Sequence, residues 1–289
     1  TARGVKKADP SIIFTPTNGT SGYNRLRGYH EIEGFLTAAK KHNFRYDAIS
    51  VHPYGSTDKG SLSKYDLDEE TVRLINQMKR FGYGEETPIF YTEMFNVPET
   101  YIPEWNADDA YDRYHSGKLT YDFGNREFIH AATIARIWVI CLKYWPRLEN
   151  TNVWVAKPYL DYHFAPLLMC KVANTFGQLM PDVKFYGDIK PNVRIRGYSF
   201  TLKDGTGIAA IWCIDNDVEN GRAMAPKITT KFNQPVEFYD MMGNRRTADT
   251  DNRGYTGIQL SPMPLFIKAK DVKSLTSSLR SVTSDDVKS

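Results

Sequence analysis

Cysteine is scarce. The chain has three in 289 residues, Cys141, Cys170 and Cys213. Cys141 and Cys170 fall in apolar helix-like runs and Cys213 in an apolar strand-like run, so all three read as small buried hydrophobes rather than a disulfide framework. No CxxC pair and no Cys/His cluster occurs, so no structural zinc site is expected. An excess of charge is also missing: 37 basic residues stand against 34 acidic ones, a net charge of +3, which gives no electrostatic case for nucleic acid or an anionic membrane. No run is apolar enough to span a bilayer. No phosphate loop is present, because the one glycine-rich candidate, KDGTG at 203–207, lacks the strand-to-helix context such a loop needs. No internal repeat is visible. Residues 1–10 do not read as a secretory leader; they look like the last turns of a helix.

What is present is the composition of a globular protein with one large or two ordinary domains. Hydrophobic residues make up 41% and charged residues 25%. Aromatics reach 13%, which suits a sugar-binding cleft and a large β core equally.

Residues 11–180 alternate strand-like and helix-like segments. Strands are expected at 11–15, 46–51, 88–92 and 151–155. Helices are expected over 29–42, with Ile32, Phe35, Leu36 and Ala39 on one face, and over 68–81, with Val72, Ile75 and Met78 as the stripe. Asp68 or a near neighbour caps the second of these. Two more helices are expected at 127–142 and 165–179. Such alternation implies parallel strands joined by crossover helices. After Pro181 the texture changes to short β-rich runs separated by turns, with hairpins expected at 203–206 and 242–244. That pattern is an antiparallel β-sandwich. Residues 271–289 are rich in Ser, Lys and Asp and read as a tail or linker.

The segment 88–96, PIFYTEMFN, is the most informative. It reads as a short apolar strand ending on a carboxylate, Glu93. An acid at the exit of a buried strand is costly to desolvate unless something there uses or pairs its charge. Strand exits are also where catalytic groups sit in a (β/α) barrel. Two readings follow: Glu93 is a catalytic nucleophile, or it is an ordinary acid at the start of the helix after the strand. One strand earlier, His52 and Tyr54 stand two residues apart, so an extended backbone points both the same way.

The order of these segments resembles the C-terminal part of a retaining glycoside hydrolase of clan A, near families 39 and 51. YDAISVHPY at 46–54 is similar to the sixth barrel strand, PIFYTE at 88–93 to the seventh with its nucleophilic glutamate, and Val153 with Trp154 to the eighth. VEFYDMMG at 236–243 and the run 260–267 are like the accessory sandwich behind the barrel. The resemblance covers about residues 5–270. It implies an α/β fold: the C-terminal half of a (β/α)8 TIM barrel, strands five to eight, at 1–180, with 11–15 as strand five. A β-sandwich follows at 181–270.

The resemblance also implies chemistry. Retaining hydrolysis uses two carboxyls roughly 5–5.5 Å apart, one as nucleophile and one as acid/base. Glu93 takes the place of the nucleophile. The acid/base glutamate of the family follows an Asn at the end of the fourth strand. No Asn-Glu dipeptide occurs here, so the resemblance places the proton donor upstream of Thr1 and makes the absent barrel half a partner. Tyr54 is expected to hydrogen-bond Glu93, and His52 to contact a sugar hydroxyl or orient a carboxylate. Trp154 is expected to floor the sugar subsite. Each also has a plain reading as a packed or turn residue. Asn96, like Asn18, is placed to bind hydroxyls or to make a turn. Trp105, with Tyr101, Tyr111 and Tyr114, lies in a long loop that either stacks on sugar or packs down. Lys157, Asp161 and His163 follow Trp154 towards the rim. The expected substrate is a polysaccharide or oligosaccharide, with no metal and no organic cofactor, because two carboxylates suffice. Analogy favours a secreted or periplasmic setting. Two rivals remain: a non-catalytic carbohydrate-binding protein on a degenerate barrel, and a barrel enzyme of other chemistry with Glu93 as general base.

Overall fold

The computed structural model describes residues 2–16, 26–53, 66–94, 123–151, 166, 168–214 and 225–284. They form two compact units. The first gathers Thr1–Thr57, Lys64–Asn96 and Tyr144–Trp154; the second gathers Asp58–Ser63, Val97–Lys143 and Val155–Ser289.

The first unit holds helices α1 (Ala2–Ala8), α2 (Leu26–Lys41) and α3 (Leu67–Arg80) and strands β1 (Ile49–Val51), β2 (Ile89–Tyr91) and β3 (Leu148–Thr151). The strands form a parallel sheet in the order β1-β2-β3. Parallel strands are buried on both faces, and all three residues of β1 are inside. Helix α2 turns Ile32, Leu36 and Ala39 inward, as their spacing predicts, while Phe35 stays at the surface. Helix α3 starts at Asp66, whose carboxylate accepts the N–H groups of Asp68 and Glu69. Its buried face is Leu67, Thr71, Leu74 and Met78. Val72, expected in the stripe, is 43% exposed. The cap sits two residues earlier than Asp68, and the polar Thr71 occupies the position the apolar pattern gave to Val72.

Residues 11–15, expected as a strand, do not join the ladder. Asp47 takes both roles a partner strand would share: its carboxylate accepts the Phe14 N–H at 2.7 Å and its own N–H donates to Phe14 O at 2.9 Å. Pro16 has no N–H to offer, and its carbonyl accepts the Ser50 hydroxyl at 3.0 Å. The segment lies beside β1 through these contacts and through packing of Phe14 on Phe44 and Tyr46.

The strand entries are braced by cations. Arg45 donates to Gly82 O and to Glu86, and buried Arg147 lies 2.9 Å from a Glu85 oxygen. A hydrogen bond from Lys79 and the charge of Arg147 hold the Glu85 carboxyl below its usual range. These groups precede β1, β2 and β3, at the end of the sheet away from His52 and Glu93, so their role is stability rather than chemistry.

The second unit begins with α4 (Phe123–Lys143) and α5 (Leu168–Leu179). Strands β4 (Lys184–Ile189), β5 (Ile195–Thr201), β6 (Gly207–Cys213), β7 (Lys227–Lys231) and β8 (Val236–Tyr239) follow. Then come β9 (Arg245–Arg246), β10 (Asp249–Thr250), β11 (Tyr255–Gln259), β12 (Leu265–Ala269), helix α6 (Val272–Arg280) and β13 (Thr283–Ser284). Two antiparallel sheets result, ordered β4-β5-β6-β12-β8-β9 and β10-β11-β7-β13. One shared core joins Ile195, Ile211 and Ile267 of the larger sheet to Ile228 and Ile258 of the smaller. The other face of the larger sheet is covered by the two helices. Trp138, Phe176 and Phe266 run edge to face from α4 through α5 to β12. The hairpin at 203–206 forms, with Gly205 at φ 83°, the left-handed region glycine favours.

The expected tail is in part structured. Asp271 caps α6 by accepting the Ser274 N–H, and Leu275 and Leu279 are fully buried in the core. Burying each leucine contributes about 1.5–3 kcal/mol and the cap about 1 kcal/mol more. The buried hydroxyls are also satisfied: Thr276 bonds Val272 O and Ser199, and Ser278 bonds Lys231 O.

Candidate active site

The two residues singled out at strand exits come together. Val51 and Tyr91 are paired in register, and both chains then leave the sheet. His52 is the next residue after β1, and Glu93 comes two residues after β2. Nδ1 of His52 lies 3.4 Å from Oε2 of Glu93, with the imidazole 14% and the carboxylate 33% exposed. The separation suits an ion pair when the imidazole is protonated and lies beyond the usual hydrogen-bond range. Catalytic contacts are often loose without substrate and tighten when it binds.

The carboxylate thus stands at the C-terminal end of a parallel sheet, partly open to solvent, with a polar neighbour on the adjacent strand. Such an acid can act as nucleophile or base towards a molecule at the strand exits. Tyr54, Asn96, Trp105 and Trp154 lie outside the described residues, as do Asn18, Tyr101, Tyr111, Tyr114, Lys157, Asp161 and His163. The third strand begins at Leu148 rather than at 151, because Leu148 is the residue that pairs with Ile89.

Behind the site the sequence reading missed a buried polar contact. The Tyr91 hydroxyl is 2.6 Å from that of Thr71 on α3, and Thr71 is 2.7 Å from Leu67 O. Its only advance signal is a tyrosine in an apolar strand, whose hydroxyl needs a partner when buried. Among the described residues no group of three or more His, Cys, Asp or Glu is placed to hold a metal ion. No described helix is long and apolar enough to cross a membrane.

No family model and no curated protein matches the chain. Solved structures do. A family 39 glycoside hydrolase from the gut symbiont Bacteroides cellulosilyticus WH2 superposes with a TM-score of 0.65 at 16% identity, over 93% of this chain and 53% of that one. In fold, the chain resembles clan A glycoside hydrolases. A family 51 α-L-arabinofuranosidase from Bifidobacterium longum gives a TM-score of 0.59 at 11% identity, over 92% of this chain and 61% of that one. The chain therefore spans little more than half the length of these TIM-barrel relatives. It carries their glycoside-hydrolase-like fold, with a parallel sheet in one unit and antiparallel sheets in the other.

Proposed function

We propose that this chain carries the nucleophile of a retaining glycoside hydrolase, and that the nucleophile is Glu93. One observation supports this above others: His52 and Glu93 follow neighbouring parallel strands whose last paired residues are Val51 and Tyr91, and they meet at 3.4 Å. Strand exits are where enzymes of this architecture keep their chemistry. The fold relatives lend carbohydrate as the substrate class.

In the proposed reaction a Glu93 oxygen attacks the anomeric carbon as the glycosidic bond breaks. A second carboxylic acid protonates the departing oxygen. The product is a glycosyl ester on Glu93. The second group, now a carboxylate, takes a proton from water, the water attacks the same carbon, and Glu93 leaves. His52 directs the Nδ1 edge of its ring at Oε2 and orients the carboxylate. The acid/base glutamate is proposed to lie upstream in the full-length protein, since no Asn-Glu pair occurs here. The sugar-binding roles of Tyr54, Asn96, Trp105 and Trp154 belong to the same proposal.

The test is Glu93→Gln in the full-length protein, together with labelling of the wild type by an activated 2-deoxy-2-fluoro glycoside. The variant is expected to fold and to lose turnover, and the label to sit on Glu93 by peptide mass spectrometry. Turnover by Glu93→Gln, or a label elsewhere, sinks the assignment. A wild type that binds sugar without turning it over favours the non-catalytic reading instead.

A further inference from the structure

Among the described residues the last rung of the parallel sheet is Val51–Tyr91–Thr151. Beyond it the ladder ends, and within two residues the chain has placed His52 on one strand and Glu93 on the next. Whatever fixes this rung therefore fixes where those two side chains start. Tyr91 sits at its centre, 2% exposed. Its ring points away from the sheet towards α3, where its hydroxyl meets that of Thr71 at 2.6 Å. A threonine hydroxyl has one proton, and that of Thr71 goes to Leu67 O at 2.7 Å. Tyr91 must then be the donor and Thr71 the acceptor. The contact is directional, buried at both ends and anchored in the first turn of a helix capped by Asp66.

We propose that Tyr91, held by Thr71, is the positioning residue for Glu93. The proposal rests on the reading of Glu93 as nucleophile and extends it to a group that touches no substrate. Only four soft backbone dihedrals separate the Cα of Tyr91 from that of Glu93. A lateral shift or roll of the rung is therefore passed to the carboxylate with little damping. Reaction rates are sensitive to this: a misplacement of 1 Å can cost roughly 100-fold. Aromatic packing alone would hold the ring against α3 but leave it free to slide; the hydrogen bond sets its depth and angle. Phe90, between the two buried residues of β2, is only half-buried and provides no comparable hold.

The experiment compares Tyr91→Phe, Thr71→Val, Thr71→Ser and the Tyr91→Phe/Thr71→Val pair in the full-length protein. Three quantities are read: kcat and KM on an aryl glycoside, the rate of Glu93 labelling by a fluoro glycoside, and Tm. Tyr91→Phe and Thr71→Val are each expected to lower kcat and the labelling rate together by about tenfold, with KM within about twofold, since a sub-ångström shift costs less than the 1 Å case. The double variant is expected to be no worse than either single one, because both remove the same bond. Thr71→Ser, which keeps the acceptor, is expected to match the wild type. Wild-type kcat and labelling in Tyr91→Phe would overturn the proposal, as would a rise in KM alone or additive losses in the pair. If Tyr91→Phe does not fold, Thr71→Val answers the same question with the ring still in place. The two readings separate cleanly. An active Glu93→Gln overturns the nucleophile assignment, whereas an inactive Glu93→Gln beside a fully active Tyr91→Phe overturns only the positioning.

Discussion

Nδ1 of His52 faces Oε2 of Glu93 across 3.4 Å, one residue beyond Val51 and two beyond its strand partner Tyr91. At 3.4 Å, with Glu93 one-third exposed, the pair is a contact of ion-pair type worth about 1 kcal/mol or slightly more. His52→Ala is expected to reduce kcat/KM of the full-length protein roughly tenfold, one factor of ten per 1.4 kcal/mol. Its Tm should barely move. A wild-type kcat/KM would show that the imidazole contributes nothing to the carboxylate.

Glu70 on α3 predicts a pH dependence of stability. Its side chain is 2% exposed, and neither oxygen makes a hydrogen bond, although Arg73 Nη1 lies 3.1 Å from Oε1. Burial raises its pKa above the usual carboxylate value; the charge of Arg73 opposes this, and Glu69 and Asp66 add to it. The folded protein therefore holds this proton more tightly than the unfolded chain does. The resulting stabilisation is complete below the unfolded-state pKa and is lost as pH rises through the higher folded-state value. Glu70→Gln should thus raise Tm at pH 7, corresponding to about 1 kcal/mol, and the gain should shrink as pH falls towards 4. A variant less stable than wild type at pH 7 would mean that the Arg73 pair outweighs the cost of burial.

Helix α6 can be tested by truncating its buried side chain and its cap. Leu279→Ala leaves a cavity in the shared core and should cost about 2–5 kcal/mol, two to five times the roughly 1 kcal/mol expected of Asp271→Ala. Urea unfolding measures both. Equal, small effects would show that the helix rests on the core without supporting it.

Two glycines should respond in opposite directions to the same methyl group. A Cβ on Gly207 would lie 2.6 Å from the Cα of Val272, a backbone atom, so α6 would have to shift. Gly207→Ala should destabilise by about 1–3 kcal/mol. A Cβ on Gly34 meets nothing within 4 Å, and Gly34 is an exposed position within α2. Gly34→Ala should stabilise by roughly 0.5–1 kcal/mol through helix propensity alone. The sign of ΔTm decides each case.

How far the sequence could be read depended on how each element is held. Helix α2 announces itself because three residues at helical spacing, Ile32, Leu36 and Ala39, carry its burial. Strands β1 and β2 are short apolar runs bounded by breakers, and they lie where those runs are. Helix α3 is legible as a helix but its buried face is not, since a threonine that hydrogen-bonds Leu67 O and Tyr91 is as buried as a valine. Residues 11–15 looked like a strand because they are apolar; a single side chain, that of Asp47, takes the bond a ladder would need. Composition hid α6: Ser and Lys outnumber its apolar residues, yet Val272, Leu275 and Leu279 recur at helical spacing behind an Asp cap. Of the site, strand order brings the ends of β1 and β2 together, but the sequence offers Tyr54 as the partner of Glu93 and leaves His52 to a sugar hydroxyl or a carboxylate. The support behind the site could not be anticipated, since Thr71 and Tyr91 are 20 residues apart and nothing around Thr71 marks it as a partner.

All seven residues of β6 are buried, and the strand is bonded on one side to β5 and on the other to β12. Sheet packs over one face and helices over the other, so no local fluctuation brings water to its amides. Their hydrogen exchange should therefore proceed only through opening of the whole β-rich unit. That makes β6 an internal gauge: amide exchange rates there read out the unit's global unfolding free energy without denaturant.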